Sequence, residues 1–121
     1  MPIIRLDDIA RQAFSGGATY QTIVGDEAGS TPVRVGVQVS PPGYSTGTHS
    51  HPYMEIVSVL EGEGEAWIEG EAAVPIRAGD TMVLPANTAH GFRVTGNGPL
   101  KTYGVHASPH RIVERPADGE G

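Results

Sequence analysis

The 121-residue chain contains no cysteine. That excludes a disulfide framework, a thiolate metal site and a cysteine nucleophile, so nitrogen and oxygen must hold any metal. Charge is sparse too: 18% of residues are charged, the net charge is −6, and Lys and Arg never cluster in a run. Nucleic acid is a poor partner for such a chain, because phosphate binding needs a basic face. No apolar run approaches the ~20 residues of a membrane span. Met1, Pro2, Ile3, Ile4 and Arg5 show neither the apolar stretch nor the small-residue cleavage site of a signal peptide. The expectation is a soluble, cytoplasmic protein that meets no membrane. A nucleophile elbow, a P-loop and a dinucleotide fingerprint are all missing.

What the chain has in plenty is glycine and proline, 17 and 10 residues. They mark turns at intervals of roughly 8–12 residues, the rhythm of an all-β domain. Between the turns the chain is strand-like. Val33, Val35, Val37 and Val39 alternate with Arg34, Gly36, Gln38 and Ser40, a period of two. Further strands are predicted at residues 55–60, 66–69, 73–76, 81–84, 92–95 and 100–106. Residues 6–14 predict one short helix, since Ile9, Ala10 and Ala13 share a face and Asp7 and Asp8 suit a first turn. After His110 the tail is polar, with Pro and Gly, and fraying is expected there. Many short strands must close or stack to hide their edges, so a single small barrel or sandwich follows.

His49 and His51 are two apart, and Glu55 lies four further on with the same parity. On an extended, bent chain all three side chains converge. His90 follows the turn-rich stretch Pro85, Ala86, Asn87, Thr88, Ala89 and can arrive from a facing strand. Three imidazoles and a carboxylate form a nitrogen/oxygen site for one divalent transition metal. Four protein ligands leave positions open on a six-coordinate ion, which suits chemistry better than a closed structural site.

These residues carry a family resemblance. Gly43, His49, His51, Glu55 and Gly62 stand in the spacing G-x5-H-x-H-x3-E-x6-G, and Gly79, Pro85, Asn87 and His90 in G-x5-P-x-N-x2-H. The two stretches resemble the first and second motifs of the cupins, and the chain is identified as a small single-domain cupin. The resemblance implies an all-β, double-stranded β-helix (jelly-roll) barrel. Its core would run from about residue 20 to 110, flanked by residues 1–19 and 111–121. It implies His49, His51, Glu55 and His90 as ligands of Fe, Mn, Ni, Zn or Cu, and pairing into a homodimer. Two positions depart from the pattern. Asn87 stands where the family usually has Gly, and Asn is the side chain that best tolerates positive φ. Val94 stands where the family often has Asn.

Around the site, Val57 and Val59 share Glu55's parity, and Phe92 and Val94 share His90's, so a mostly apolar pocket is expected. Tyr44, Tyr53, Met54 and Phe92 are placed to shape its mouth. His106 ends a strand; with Tyr53 it is the available base if the chemistry is isomerase or lyase, and otherwise a strand-end histidine capped by the next turn. Trp67 reads as packing, the glutamates at 61, 63, 65, 69 and 71 as a solvated face, and His110 as surface. The functional expectation is a metalloenzyme of dioxygenase, isomerase or lyase type acting on a small organic molecule. The alternative is a small-molecule binding or sensing module without turnover.

Overall fold

The computed structural model describes residues 1–115. Nine strands follow in chain order: β1 (Gln12–Ala13), β2 (Thr19–Val24), β3 (Arg34–Ser40), β4 (Glu55–Glu61), β5 (Glu63–Ile68), β6 (Val74–Arg77), β7 (Thr81–Leu84), β8 (His90–Val94) and β9 (Leu100–His106). All pairings are antiparallel, in a six-stranded sheet ordered β1-β2-β3-β9-β4-β7 and a three-stranded sheet ordered β6-β5-β8. The two sheets face each other, giving the jelly-roll barrel that the family resemblance implied.

One end of the barrel is filled. Leu100, Val59, Val94, Ala66, Ile76, Tyr44 and Ala18 form the buried core, with Phe14, Met82 and Phe92 packed against it. The other end is open, for a reason visible in the register. Residues directly opposite in an antiparallel pair share a face. Gln38, Thr102 and Val59 make one inward rung across β3, β9 and β4; Gly36, Gly104 and Val57 make the next, and Arg34, His106 and Glu55 the last. Two glycines in the middle rung contribute no side chain, and a cavity opens above them.

The turns hold as the motif glycines require. Gly62 sits at φ 93°, and a Cβ there would run into the Pro99 carbonyl. Asn87 is the one non-glycine residue with positive φ (59°) among the described residues, and its N–H donates to the His51 carbonyl at 2.7 Å.

Two expectations need correction, and the register settles which way β3 faces, a point the alternation left open. The helix predicted over residues 6–14 is one 3-10 turn, Leu6–Asp8, followed by extended chain that pairs through β1. Tertiary contacts outweigh its weak periodicity: the buried Gln21 amide donates to the carbonyls of Leu6 (3.0 Å) and Ile9 (2.8 Å), pinning the segment over the outer face of the larger sheet. Val37, opposite Gln21 in the register, is buried at 3% exposure. The valine stripe of β3 therefore faces outward, while Arg34, Gly36, Gln38 and Ser40 face inward. Lastly, residues 111–115 do not fray. Ser50 and Glu114 exchange two backbone hydrogen bonds of 2.8 and 2.9 Å, which docks the segment beside the open end. The rest of the expected frayed tail, residues 116–121, lies outside the described residues.

Candidate metal centre

The four candidate ligand residues come from both sheets. His90 opens β8 in the smaller sheet, and His49 bridges it through paired backbone hydrogen bonds of 3.0 and 2.8 Å. Glu55 opens β4 in the larger sheet. His49 and His51 thus precede β4 on separately bridged chain, with a turn at Pro52 and Tyr53 between His51 and Glu55, where the sequence suggested one bent strand. The turn carries the motif from one sheet to the other. One donor atom from each of His49, His51, Glu55 and His90 lies within 4.8 Å of the others.

The proton positions favour a cation at their centre. The Nδ1 atoms of His49, His51 and His90 lie 3.2, 2.6 and 2.9 Å from the carbonyls of Gly47, Ile112 and Thr88. A carbonyl only accepts, so each Nδ1 carries the proton and each Nε2 presents a lone pair. His51 Nε2 and His90 Nε2 then face Glu55 Oε1 at 3.0 and 3.4 Å. These three atoms are buried with no hydrogen-bond partner. Lone pairs crowded this closely need a positive charge between them, either an added proton or a metal ion. The donor set therefore fits one divalent metal: three neutral imidazoles and a carboxylate oxygen on a buried centre.

Electrostatics at the site follow from the same geometry. Burial would raise the Glu55 carboxyl, but the hydrogen bond from His106, and those from His51 and His90 once a proton is added at Nε2, outweigh it and hold it far below the usual carboxylate range. Burial depresses His51, yet the bonds to Glu55 and to the Ile112 carbonyl prevail and raise it. His49 is pushed down to about 4 by burial and by neighbouring His90.

His106 and Tyr53 form a chain behind Glu55. His106 Nε2 lies 3.1 Å from Glu55 Oε2, and its Nδ1 lies 2.6 Å from the Tyr53 hydroxyl. The consistent assignment has His106 Nε2–H donating to Glu55 while Tyr53 O–H donates to Nδ1 and accepts the Ile112 N–H at 3.2 Å. Burial raises the Tyr53 hydroxyl.

Above the metal end lies a cavity of about 230 Å³, room for a small organic molecule. His49, His51, Glu55 and His106 line its floor, and Phe14, Tyr20, Tyr44, Phe92, Gln38, Thr102 and Thr46 its walls. The wall is less apolar than expected, because β3 turns its polar stripe inward. Tyr44 and Phe92 reach the cavity; Tyr53 stands behind His106, and Met54 is exposed at 44%. Trp67 packs on Gly91 and donates to Thr48 at 3.1 Å, as packing predicts. Glu65 and Glu61 pair with Arg93 and Lys101, and His110 is exposed. Sequence reasoning missed the contribution of the C-terminal segment: Ile112 orients both His51 and Tyr53, and Arg111, Val113 and Arg115 line the cavity. Their period of two was the available signal.

A two-sheet β-barrel with three histidines and a glutamate clustered at its open end is a jelly roll with a candidate metal site, and comparison with known proteins agrees on the fold and family. The cupin domain family (Cupin_2) matches residues 36–106, more than half the chain, and this chain belongs to it. A protein named SchB from Streptomyces halstedii is 32% identical over 96 residues, spanning 78% of this chain and 69% of that protein. A 5-nitrosalicylic acid 1,2-dioxygenase from a Bradyrhizobium species is 33% identical over 71 residues, spanning 59% of this chain but 34% of that protein. The crystal structure of a predicted oxalate decarboxylase from Thermotoga maritima superposes with a TM-score of 0.79 at 29% identity, covering 87% of this chain and 97% of that one. Among the described residues, no helix is long and apolar enough to cross a membrane.

Proposed function

We propose that this cupin holds one divalent transition metal at His49, His51, Glu55 and His90 and acts on a small organic molecule as a dioxygenase-, isomerase- or lyase-type metalloenzyme. The observation that carries this reading is the trio of orphaned atoms, His51 Nε2, Glu55 Oε1 and His90 Nε2, beneath an open cavity. When bound, the metal supplies Lewis-acid polarisation and, if redox-active, oxygen chemistry. The chain's own residues do the rest. Gly47, Thr88 and Ile112 hold the imidazole tautomers. His106 holds Glu55 by Oε2, leaving Oε1 for the metal, and Tyr53 holds His106. The same chain can move a proton between the Tyr53 hydroxyl and Glu55 Oε2. The aromatic part of the wall, Phe14, Tyr44 and Phe92, keeps water from the floor once a ligand fills the cavity. A relative named as a dioxygenase and another described as a decarboxylase support small-molecule chemistry in this fold.

One observation favours the second reading, a binding module without turnover: both nitrogens of His106 are engaged, so it presents no free base to the cavity. Metal analysis of the purified protein separates the cases. One metal per chain is expected, lost with a chelator and in His51→Ala. Iron with substrate-dependent oxygen uptake indicates an oxygenase, while zinc or nickel with turnover but no oxygen uptake indicates isomerase or lyase chemistry. Full occupancy in His51→Ala would sink the four-ligand site. Pairing into a homodimer and a cytoplasmic setting belong to the same proposal. A monomer mass by light scattering overturns the pairing.

A further inference from the structure

The chain is acidic, with 14 acidic against 8 basic residues, yet its cavity reverses that balance. Arg34, Arg111 and Arg115 line it, against one carboxylate, Glu55. Glu55 has nothing left to offer them: Oε1 faces His51 and His90, and Oε2 faces His106. None of the three guanidiniums has a carboxylate partner among the described residues. Arg34 sits in the rung of His106 and Glu55, one strand from His106, with Nη1 donating to the Asp26 carbonyl at 3.1 Å. Arg115 Nη1 donates to the Thr46 carbonyl at 3.0 Å. Arg111 lies 5.5 Å over the ring of Phe14, itself a cavity residue. Carbonyl bonds and ring stacking aim a guanidinium without neutralising it. Three like charges lining one cavity repel each other, and an anion bound among them relieves that repulsion.

We propose that Arg34, Arg111 and Arg115 form the anion-binding side of the cavity, and that the ligand is a small organic acid. Its carboxylate meets these arginines, whose planar forks match it. Its body lies along Phe14, Tyr44 and Phe92, and its other end reaches the histidine–glutamate floor; for that last contact the inference rests on the metal reading above. Arg111 and Arg115 come from the segment docked by the Ser50–Glu114 pairing, so the chain's C-terminal strap is part of the specificity site.

The test is titration calorimetry with two matched pairs, benzoate against benzamide and succinate against succinamide, on metal-loaded and chelated protein, with metal content measured on each sample. At least one acid is expected to bind roughly tenfold or more tighter than its amide. Arg111→Ala and Arg34→Ala should each weaken the acid roughly tenfold, leaving the amide, the metal content and the thermal midpoint unchanged. The preference should survive chelation and shrink with added salt. Equal binding of acid and amide overturns the inference, as does failure of both acids to bind. So does a preference that ignores both arginine substitutions and vanishes on chelation, since the carboxylate then sits on the metal. Should the protein hold no metal while the arginine-dependent preference stands, the metal reading fails and this one holds.

Discussion

Four imidazoles and one carboxylate crowd the floor of this barrel, and where their protons sit governs both metal binding and stability. In the metal-free protein His49 is depressed to about 4 against an ordinary value near 6.5. The unfolded chain therefore takes up its proton first on acidification. Stability contributed by neutral His49 is present above about pH 6.5 and is lost as pH falls towards 4. The loss is on the order of 2 kcal/mol after allowance for partial exposure. Urea midpoints of chelated protein at pH 7 and pH 4.5 measure it. His49→Gln should flatten the difference, and an undiminished drop in that variant contradicts the assignment. Glu55 works in the same direction at still lower pH, because its folded value lies below the usual range. Tyr53→Phe tests the outer chain. It strips partners from His106 Nδ1 and the Ile112 N–H, so a loss of about 1–3 kcal/mol is expected. The metal should remain bound with affinity lowered by about 10-fold, read by competition with a chelator.

At the scale of elements, the features that shape the site differ in how visible they are in sequence. The strand-and-turn rhythm was legible because short strands between Gly and Pro turns depend on local backbone preferences. Gly62→Ala should cost roughly 3 kcal/mol in chemical denaturation, since it combines positive φ with a backbone collision. The direction of the β3 stripes was not legible. A period of two says that faces alternate, and only the β3–β9–β4 register says that Arg34 and Gln38 look inward. The Gly36–Gly104 rung opens the cavity. A Cβ on Gly104 would meet nothing closer than 4.0 Å, so Gly104→Val should leave the thermal midpoint within a few degrees while abolishing ligand binding. A folded variant that still binds normally would place the ligand elsewhere. The C-terminal strap reads in sequence as a polar tail, because nothing local reveals that Ser50 and Glu114 pair across 64 residues of chain. Ending the chain at His110 should lower metal affinity roughly tenfold or more through loss of the Ile112 carbonyl on His51, measured by the same chelator competition.

For the whole molecule, the proposed metal would couple to the fold by mass action. A ligand that binds only the folded state adds about 2.7 kcal/mol at a free concentration a hundredfold above its Kd. In a domain of this size that is about 8–16 °C in thermal midpoint. Chelation should lower the midpoint by that order, and restoring the metal should recover it. Loss of the metal with no change in midpoint would mean that the ion binds folded and unfolded chain alike.

The cluster proposed to hold a metal could be named from the linear order of residues. His49, His51, Glu55 and His90 sit at spacings whose chemistry is read from side-chain type and strand parity, and the turns between them are read from Gly, Pro and Asn87. That much is local, and local preferences survive in any one sequence. Tertiary structure alone decided which nitrogen of each imidazole is free, because the carbonyls of Gly47, Thr88 and Ile112 had to be brought into place. It also decided that His106 backs Glu55, that the valines of β3 turn outward, and that Arg111 and Arg115 return to the cavity. Each of these depends on pairing between segments far apart in the chain, which residue spacing does not encode.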